Sequence, residues 1–146
     1  MAEKPDLLGM TLTETKAFAK GEAAFRGQQL YGWMQKGASF TEMTNLPLAF
    51  RKKLEAECEY RLPRILQKQV SKIDGTIKYL MGMIDGECVE SVFMRYAHGN
   101  TVCVSCQAGC RMGCAFCAST LRGRSRDLTA SEILGQIAVI GRDTGE

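Results

Sequence analysis

The chain has 146 residues, 45% of them hydrophobic and 24% charged, a balance that excludes wholesale disorder. It is long enough to bury a core, but too short for a complete eight-fold βα barrel, which needs about 250 residues. Nineteen Lys and Arg against sixteen Asp and Glu leave a net charge of +3, short of the strongly basic footprint of a dedicated nucleic-acid binder.

Residues 7–60 read as helices. Thr11 and Glu14 fit a capping box, and Gly21 is expected to close that helix in a left-handed conformation. A second helix is expected from Phe25 to Lys36, with Leu30, Trp33 and Met34 on one face and Gly37 ending it. Ser39 and Glu42 form another capping pair, enough for one short turn. Pro47 suits the first turn of a helix running through Leu48, Arg51 and Leu54 to Cys58.

After Pro63 the apolar period changes from helical to two. Ile77, Tyr79, Met81 and Met83 alternate with Lys78, Leu80, Gly82 and Ile84. Asp74-Gly75, Asp85-Gly86 and His98-Gly99-Asn100 are turn signals. The spacing predicts an antiparallel meander over 65–73, 76–84, 87–96 and 101–106. His98, the sole histidine, falls in a turn, which leaves little basis for a Ser-His-Asp or Cys-His arrangement. From Gly109 the chain is a Gly-, Cys- and Arg-rich loop. A capping box at Thr129 and Glu132 then opens a helix with an apolar stripe of Ile133, Leu134, Ile137 and Ile140, for which no partner is evident in the chain.

Met1–Asp6 lacks a basic segment followed by an apolar one, and no run of about 18 apolar residues exists, so neither a secretory leader nor a membrane span is expected. Seven cysteines in such a chain point to the cytoplasm, where they more often bind metal or do chemistry than form structural disulfides. Cys110, Cys114 and Cys117 stand in a C-x3-C-x2-C pattern. Three thiolates on one loop can cap three irons of a [4Fe–4S] cluster and leave the fourth open to a ligand. Gly109 and Gly113 would let such a loop wrap closely. Two other readings stay open on spacing alone. The C-x2-C pairs Cys103/Cys106 and Cys114/Cys117 could hold zinc, although a strand would turn Cys103 and Cys106 to opposite faces. The thiols could also be inert.

Several stretches together resemble one family. Gly99-Asn100-Thr101-Val102-Cys103-Val104-Ser105 is followed by Gln107-Ala108-Gly109-Cys110-Arg111-Met112-Gly113-Cys114-Ala115-Phe116-Cys117-Ala118-Ser119-Thr120. Upstream lie Phe25–Leu30, Phe40–Pro47, Asp74–Lys78 and Val89–Val92; downstream lie Leu128 and Glu132–Gln136. This series is similar to the radical S-adenosylmethionine RNA (adenine-C2) methyltransferases, the RlmN family, and covers nearly the whole chain.

The resemblance implies an α+β fold in three parts: a helical, RNA-contacting accessory domain (1–62), an antiparallel β-meander (63–100), and the first βα unit of a TIM-like (βα)6 radical barrel (101–146). It implies a [4Fe–4S] cluster on Cys110, Cys114 and Cys117, with S-adenosyl-L-methionine as the second cofactor. Cys103 matches the resolving cysteine, which breaks a protein–RNA thioether by forming a transient disulfide. Glu90 matches the acceptor of the adenine C2 proton, and its flanks Val89 and Val92 suggest burial and a raised pKa. The implied partners are 23S rRNA and tRNA, with the target base exposed or flipped. Phosphate contacts could come from Arg122, Arg124 and Arg126, or from Arg51, Lys52, Lys53, Arg61, Arg64 and Lys68. The whole enzyme is expected to be a monomer. The family's Gly-Gly-Glu-Pro segment and methyl-carrying C-terminal cysteine are not in these residues. The chain is therefore read as the N-terminal portion, inactive by itself. Cys106 stands where the family usually has Ser or Thr. A zinc-stabilised RNA-binding module without catalysis is the alternative.

Overall fold

The computed structural model describes residues 4–146; the first three residues of the leader reading lie outside the described residues. The capping box at Thr11 forms as expected. Thr11 Oγ1 accepts the Glu14 N–H at 3.3 Å and the Glu14 carboxylate accepts the Thr11 N–H at 2.8 Å, opening α1 (Leu12–Phe18). This helix ends before Gly21, because Lys20 N–H bonds back to the Ala17 carbonyl at 3.1 Å and tightens the last turn. Helices α2 (Arg26–Gln35) and α3 (Leu48–Glu57) follow. Pro47 stands one position earlier than expected, as the cap of α3. Between them, Glu42 accepts the Ser39 N–H and hydroxyl, both at 2.7 Å, and makes a turn rather than a helix. Leu7, Leu8, Leu30, Met34, Met43, Leu46, Phe50 and Leu54 form the buried core of this helical layer.

The meander is a four-stranded antiparallel sheet in the order β1 (Arg64–Val70), β2 (Ile77–Gly82), β3 (Cys88–Tyr96) and β4 (Gly99–Cys103). Alternation sends Ile77, Tyr79, Met81, Val89 and Phe93 into a second core. The last strand starts earlier and stops sooner than its expected span of 101–106. Gly99, with φ of 131°, already pairs with Tyr96, and the ladder ends at Cys103. The following stretch is not one unbroken loop either. A short antiparallel ribbon, β5 (Gln107–Gly109) with β6 (Arg124–Asp127), flanks it. Every strand pair among the described residues is antiparallel.

Helix α4 (Ala130–Thr144) opens on the expected Thr129–Glu132 capping box. Its apolar stripe does have partners in the chain, contrary to expectation. Ile140 is fully buried in the sheet core, Ile133 and Val139 pack beside it, and Leu134 packs on the helical core. Only Ile137 stays open, at 45% exposure. The helix therefore joins both cores, and polar contacts fix its ends. Arg142 bonds the Gly37 carbonyl at 2.6 Å and Glu42 at 2.9 Å. Asp143 accepts the Tyr79 hydroxyl at 2.6 Å and pairs with Lys68, while Ser131 donates to Asp6.

Two close approaches within the helices need glycine. A Cβ on Gly27 would lie 2.7 Å from Lys16 Cα, and one on Gly135 would lie 2.6 Å from Pro63 Cδ; Gly32, on the open side of α2, meets nothing within 4 Å. We expect Gly27→Ala and Gly135→Ala each to destabilise by about 1–3 kcal/mol, and Gly32→Ala to stabilise by about 0.5–1 kcal/mol. Urea unfolding followed by circular dichroism checks all three. The Arg142 guanidinium, with the Ser39 donors, pulls the Glu42 carboxyl from 4.5 down to about 2. Its folded-state pKa is depressed, so its contribution is complete above 4.5 and fades as pH falls toward 2. An acid titration of unfolding should show this limb, and Glu42→Gln should flatten it.

Candidate active face and cysteine loop

On β2 and β3 the residues not sent to the core point to the opposite, open face. Lys78 pairs in register with Val92, Leu80 with Glu90, and Val92 with Cys103. Directly opposed residues share a face, so Glu90 and Cys103 are diagonal neighbours across β3 and β4. Both are exposed. The expected burial of Glu90 is not found. Val89 enters the core, and the next residue along a strand must point away from it. The Glu90 side chain is 52% exposed, and Lys78 Nζ lies 3.0 Å from its carboxylate, fixing its direction across the open face.

Gln136, in the middle of α4, is completely buried. Its Oε1 accepts the Ser91 hydroxyl at 2.7 Å and the Ser105 N–H at 2.9 Å. Its Nε2 donates to the Ser105 carbonyl at 2.9 Å and to the Glu132 carbonyl at 3.1 Å. Both donors and both acceptor positions of the amide are thus used. Ser105 Oγ in turn donates to the Glu90 carbonyl at 2.7 Å. The 104–106 link, which carries the chain from one sheet to the next, is held from inside by α4 and laterally by the strand of Glu90. Sequence reasoning missed this residue. The available signal was spacing: Gln136 lies three positions after Ile133 and four before Ile140, on the buried face.

The cysteine loop is closed by main chain. Gly109 has φ of 71°, and the Cys110 N–H donates to the Gly123 carbonyl at 3.0 Å. A Cβ on Gly109 would meet that same oxygen at 2.0 Å. Within the loop Cys117 N–H bonds the Cys114 carbonyl at 3.1 Å, and a single 3-10 turn covers Ala118–Thr120. Cys110 and Cys117 are half-buried and Cys114 is exposed; none of the seven cysteines is in a disulfide. Met112, Phe116 and Leu121 stand out beside them, Phe116 at 94% exposure. The thiols do not converge. Among the described residues no three His, Cys, Asp or Glu side chains gather as a metal site, so neither the cysteine triplet nor the two C-x2-C pairs form a finished cage. The donor chemistry still suits an iron–sulfur cluster: three free, accessible thiols on a glycine-bounded loop. Cys58 differs, since burial in the helical core pushes its thiol up to about 11.

The basic run beside the loop is partly spent on structure. Arg126 pairs with Asp85 at 2.6 Å and Glu132 at 2.7 Å, clamping β6 to the β2–β3 turn and the start of α4. These carboxylates raise its pKa, and Arg126 lowers that of Glu132. Arg124 pairs with Asp127. In the second patch Arg61 pairs with Glu59, Lys68 with Asp143, and Arg51 bonds the Thr41 carbonyl at 3.2 Å. Among the described residues, Lys52, Lys53, Arg64 and Arg122 make no ion pair.

Comparison with known proteins bears on these features. Residues 5–60 match the family model "Ribosomal RNA large subunit methyltransferase N-terminal domain". A protein of Clostridium beijerinckii named "Probable dual-specificity RNA methyltransferase RlmN" is 51% identical over 138 residues, covering 92% of this chain and 39% of its own length. A protein of the same name from Lachnoclostridium phytofermentans is 48% identical and covers 100% of this chain and 42% of its own length. The chain thus spans about two fifths of the length of these curated relatives. The crystal structure of a radical SAM methyltransferase from Sphaerobacter thermophilus superposes with a TM-score of 0.83 at 34% identity, over 97% of this chain and 44% of that one.

The Gly109 latch yields a local prediction. Gly109→Ala should cost about 1–3 kcal/mol and speed amide exchange in β5, β6 and at Cys110. Exchange in α2 and α3 should be unchanged. Hydrogen-exchange mass spectrometry reads the difference.

Proposed function

Since this chain matches the N-terminal portion of the RlmN family, we propose that it supplies the accessory domain and the first part of the catalytic domain of a radical S-adenosylmethionine enzyme. That enzyme methylates adenine C2 in 23S rRNA and tRNA. In this reading residues 1–62 contact RNA, 63–100 form the meander, and 101–146 begin a (βα)6 barrel. Relatives more than twice as long support the further expectation that these residues alone do not methylate RNA. The whole enzyme is a cytoplasmic monomer in this reading.

One observation carries the proposal: Glu90 and Cys103 share the open face of adjacent strands, and the three-thiol loop opens at Cys110 just beyond them. Cys110, Cys114 and Cys117 would hold the [4Fe–4S] cluster. Together with bound S-adenosyl-L-methionine, the cluster supplies radical chemistry at an otherwise unreactive carbon. Glu90 takes the C2 proton, which needs a base placed within reach of the unstacked adenine. The Cys103 thiolate attacks the sulfur of the protein–RNA thioether. A disulfide forms, the carbon–sulfur electron pair stays with the methylene carbon of the base, and a proton from solvent taken up there completes the methyl group. Its position on an exposed strand end gives Cys103 the access this step needs. Lys52, Lys53, Arg64 and Arg122, four basic residues of the two patches that make no ion pair among the described residues, supply phosphate contacts.

Anaerobic reconstitution followed by iron, sulfide and zinc analysis tests the reading. We expect about four irons per chain and broad absorption near about 400 nm that dithionite bleaches. Cys110→Ala, Cys114→Ala and Cys117→Ala should each lose most of the iron, and Cys88→Ala should keep it. One tightly bound zinc without colour would overturn the proposal in favour of a zinc-stabilised RNA-binding module.

A further inference from the structure

Cys103 is the last residue of an edge strand, with β3 on one side only. Strand ends of this kind fray, because the final pair lacks a neighbour to hold it. Here the chain two residues on is gripped at both main-chain groups of Ser105 by the buried Gln136 amide. The same amide takes the Ser91 hydroxyl, from the residue following Glu90 in β3. Ser105 Oγ closes the circuit on the Glu90 carbonyl. Gln136 therefore holds β3 and the link that follows β4 from behind, standing on the side of the sheet opposite the open face. No charged group takes part in the clamp, and no other side chain bonds the Ser105 main chain among the described residues.

We propose that Gln136 is a positioning residue: its buried amide, relayed through Ser105, fixes the separation and register of Cys103 relative to Glu90. The proposal rests on the reading of those two as working groups. It adds that their geometry is set by α4 rather than by the β3–β4 ladder alone. An apolar side chain of similar size would remove the amide partners of the Ser91 hydroxyl and of the Ser105 N–H and carbonyl. Relief comes from releasing the 104–106 link toward solvent.

The test reads placement directly. Val92 stands opposite Cys103, so Val92→Cys introduces a thiol whose disulfide with Cys103 reports their effective concentration. The disulfide-to-thiol ratio of this pair is measured in glutathione buffer by mass spectrometry of the linked peptides. On that background Gln136→Met should lower the ratio about tenfold. Ser105→Ala, at a half-buried site where folding is not at stake, should lower it less and in the same direction. Gln136→Glu provides the conservative rescue. A buried carboxyl titrates above the usual carboxylate range. Normalised to the parent at each pH, the ratio should recover on the acid side of that titration, where the acid still donates a proton. It should fall on the alkaline side. Amide exchange protection across β1 and β2 should stay at the parent level in every variant. An unchanged ratio in both Gln136→Met and Ser105→Ala overturns the proposal. So does a loss that appears only together with lost protection across β1 and β2. The ratio reads placement and not turnover, so its outcome is separate from that of the iron analysis.

Discussion

The hydrogen bonding of one carboxamide organises the open face of the sheet. Gln136 occupies a position on α4 where an aliphatic side chain would satisfy packing. It instead spends all its polar capacity on β3, on the link after β4 and on its own helix. A buried amide left half satisfied would be costly, and fully satisfied it admits few alternative arrangements. The rest of the C-terminal half follows from that restriction. With Ser105 fixed, Cys103 ends its strand at a defined place, Cys106 accepts the Leu128 N–H at 2.9 Å, and the ribbon that carries the cysteine loop starts from a rigid base.

Helix α4 can impose this geometry because it belongs to two cores at once. Leu134 faces the helical layer, while Ile133, Val139 and Ile140 face the sheet. Its ends are fixed by opposite charges: Glu132 by Arg126 at the start, Arg142 by Glu42 and Asp143 by Lys68 near the finish. Such partly exposed pairs contribute little stability singly. Here they select one placement of the helix among several that the apolar contacts alone would permit. The same pairs change how the basic residues are read. Arg124 and Arg126 sit beside the cysteine loop in sequence, yet their charges are matched by Asp127, Asp85 and Glu132.

Local rules carried much of the fold. The capping boxes at Thr11 and Thr129 and the turns at Asp74-Gly75 and Asp85-Gly86 depend on neighbours in sequence, and the alternation through Ile77–Met83 depends on one buried face. These were legible. The ribbon of β5 and β6 was not, because strands of three and four residues carry no measurable period. Glu90 misled for another reason: Val89 belongs to the opposite face of the strand, and Val92, on the same face as Glu90, is only half-buried. The partners of the α4 stripe and of the Gln136 amide are tertiary facts: spacing puts Gln136 on the buried face of the helix and says nothing of what its amide meets. At the candidate site the spacing of Cys110, Cys114 and Cys117 was plain from the sequence, while the pairing of Glu90 with Lys78 required the register.

The main-chain latch between Cys110 and Gly123 has one more consequence. No residue from Cys110 through Gly123 belongs to either buried core, and the loop is tied at its base by backbone atoms rather than by its own side chains. Architecture and reactivity are therefore assigned to different atoms. The scaffold is indifferent to what the loop carries, so thiols, apolar side chains and Arg122 can be exchanged there without weakening the fold, and selection can act on them for their chemistry alone.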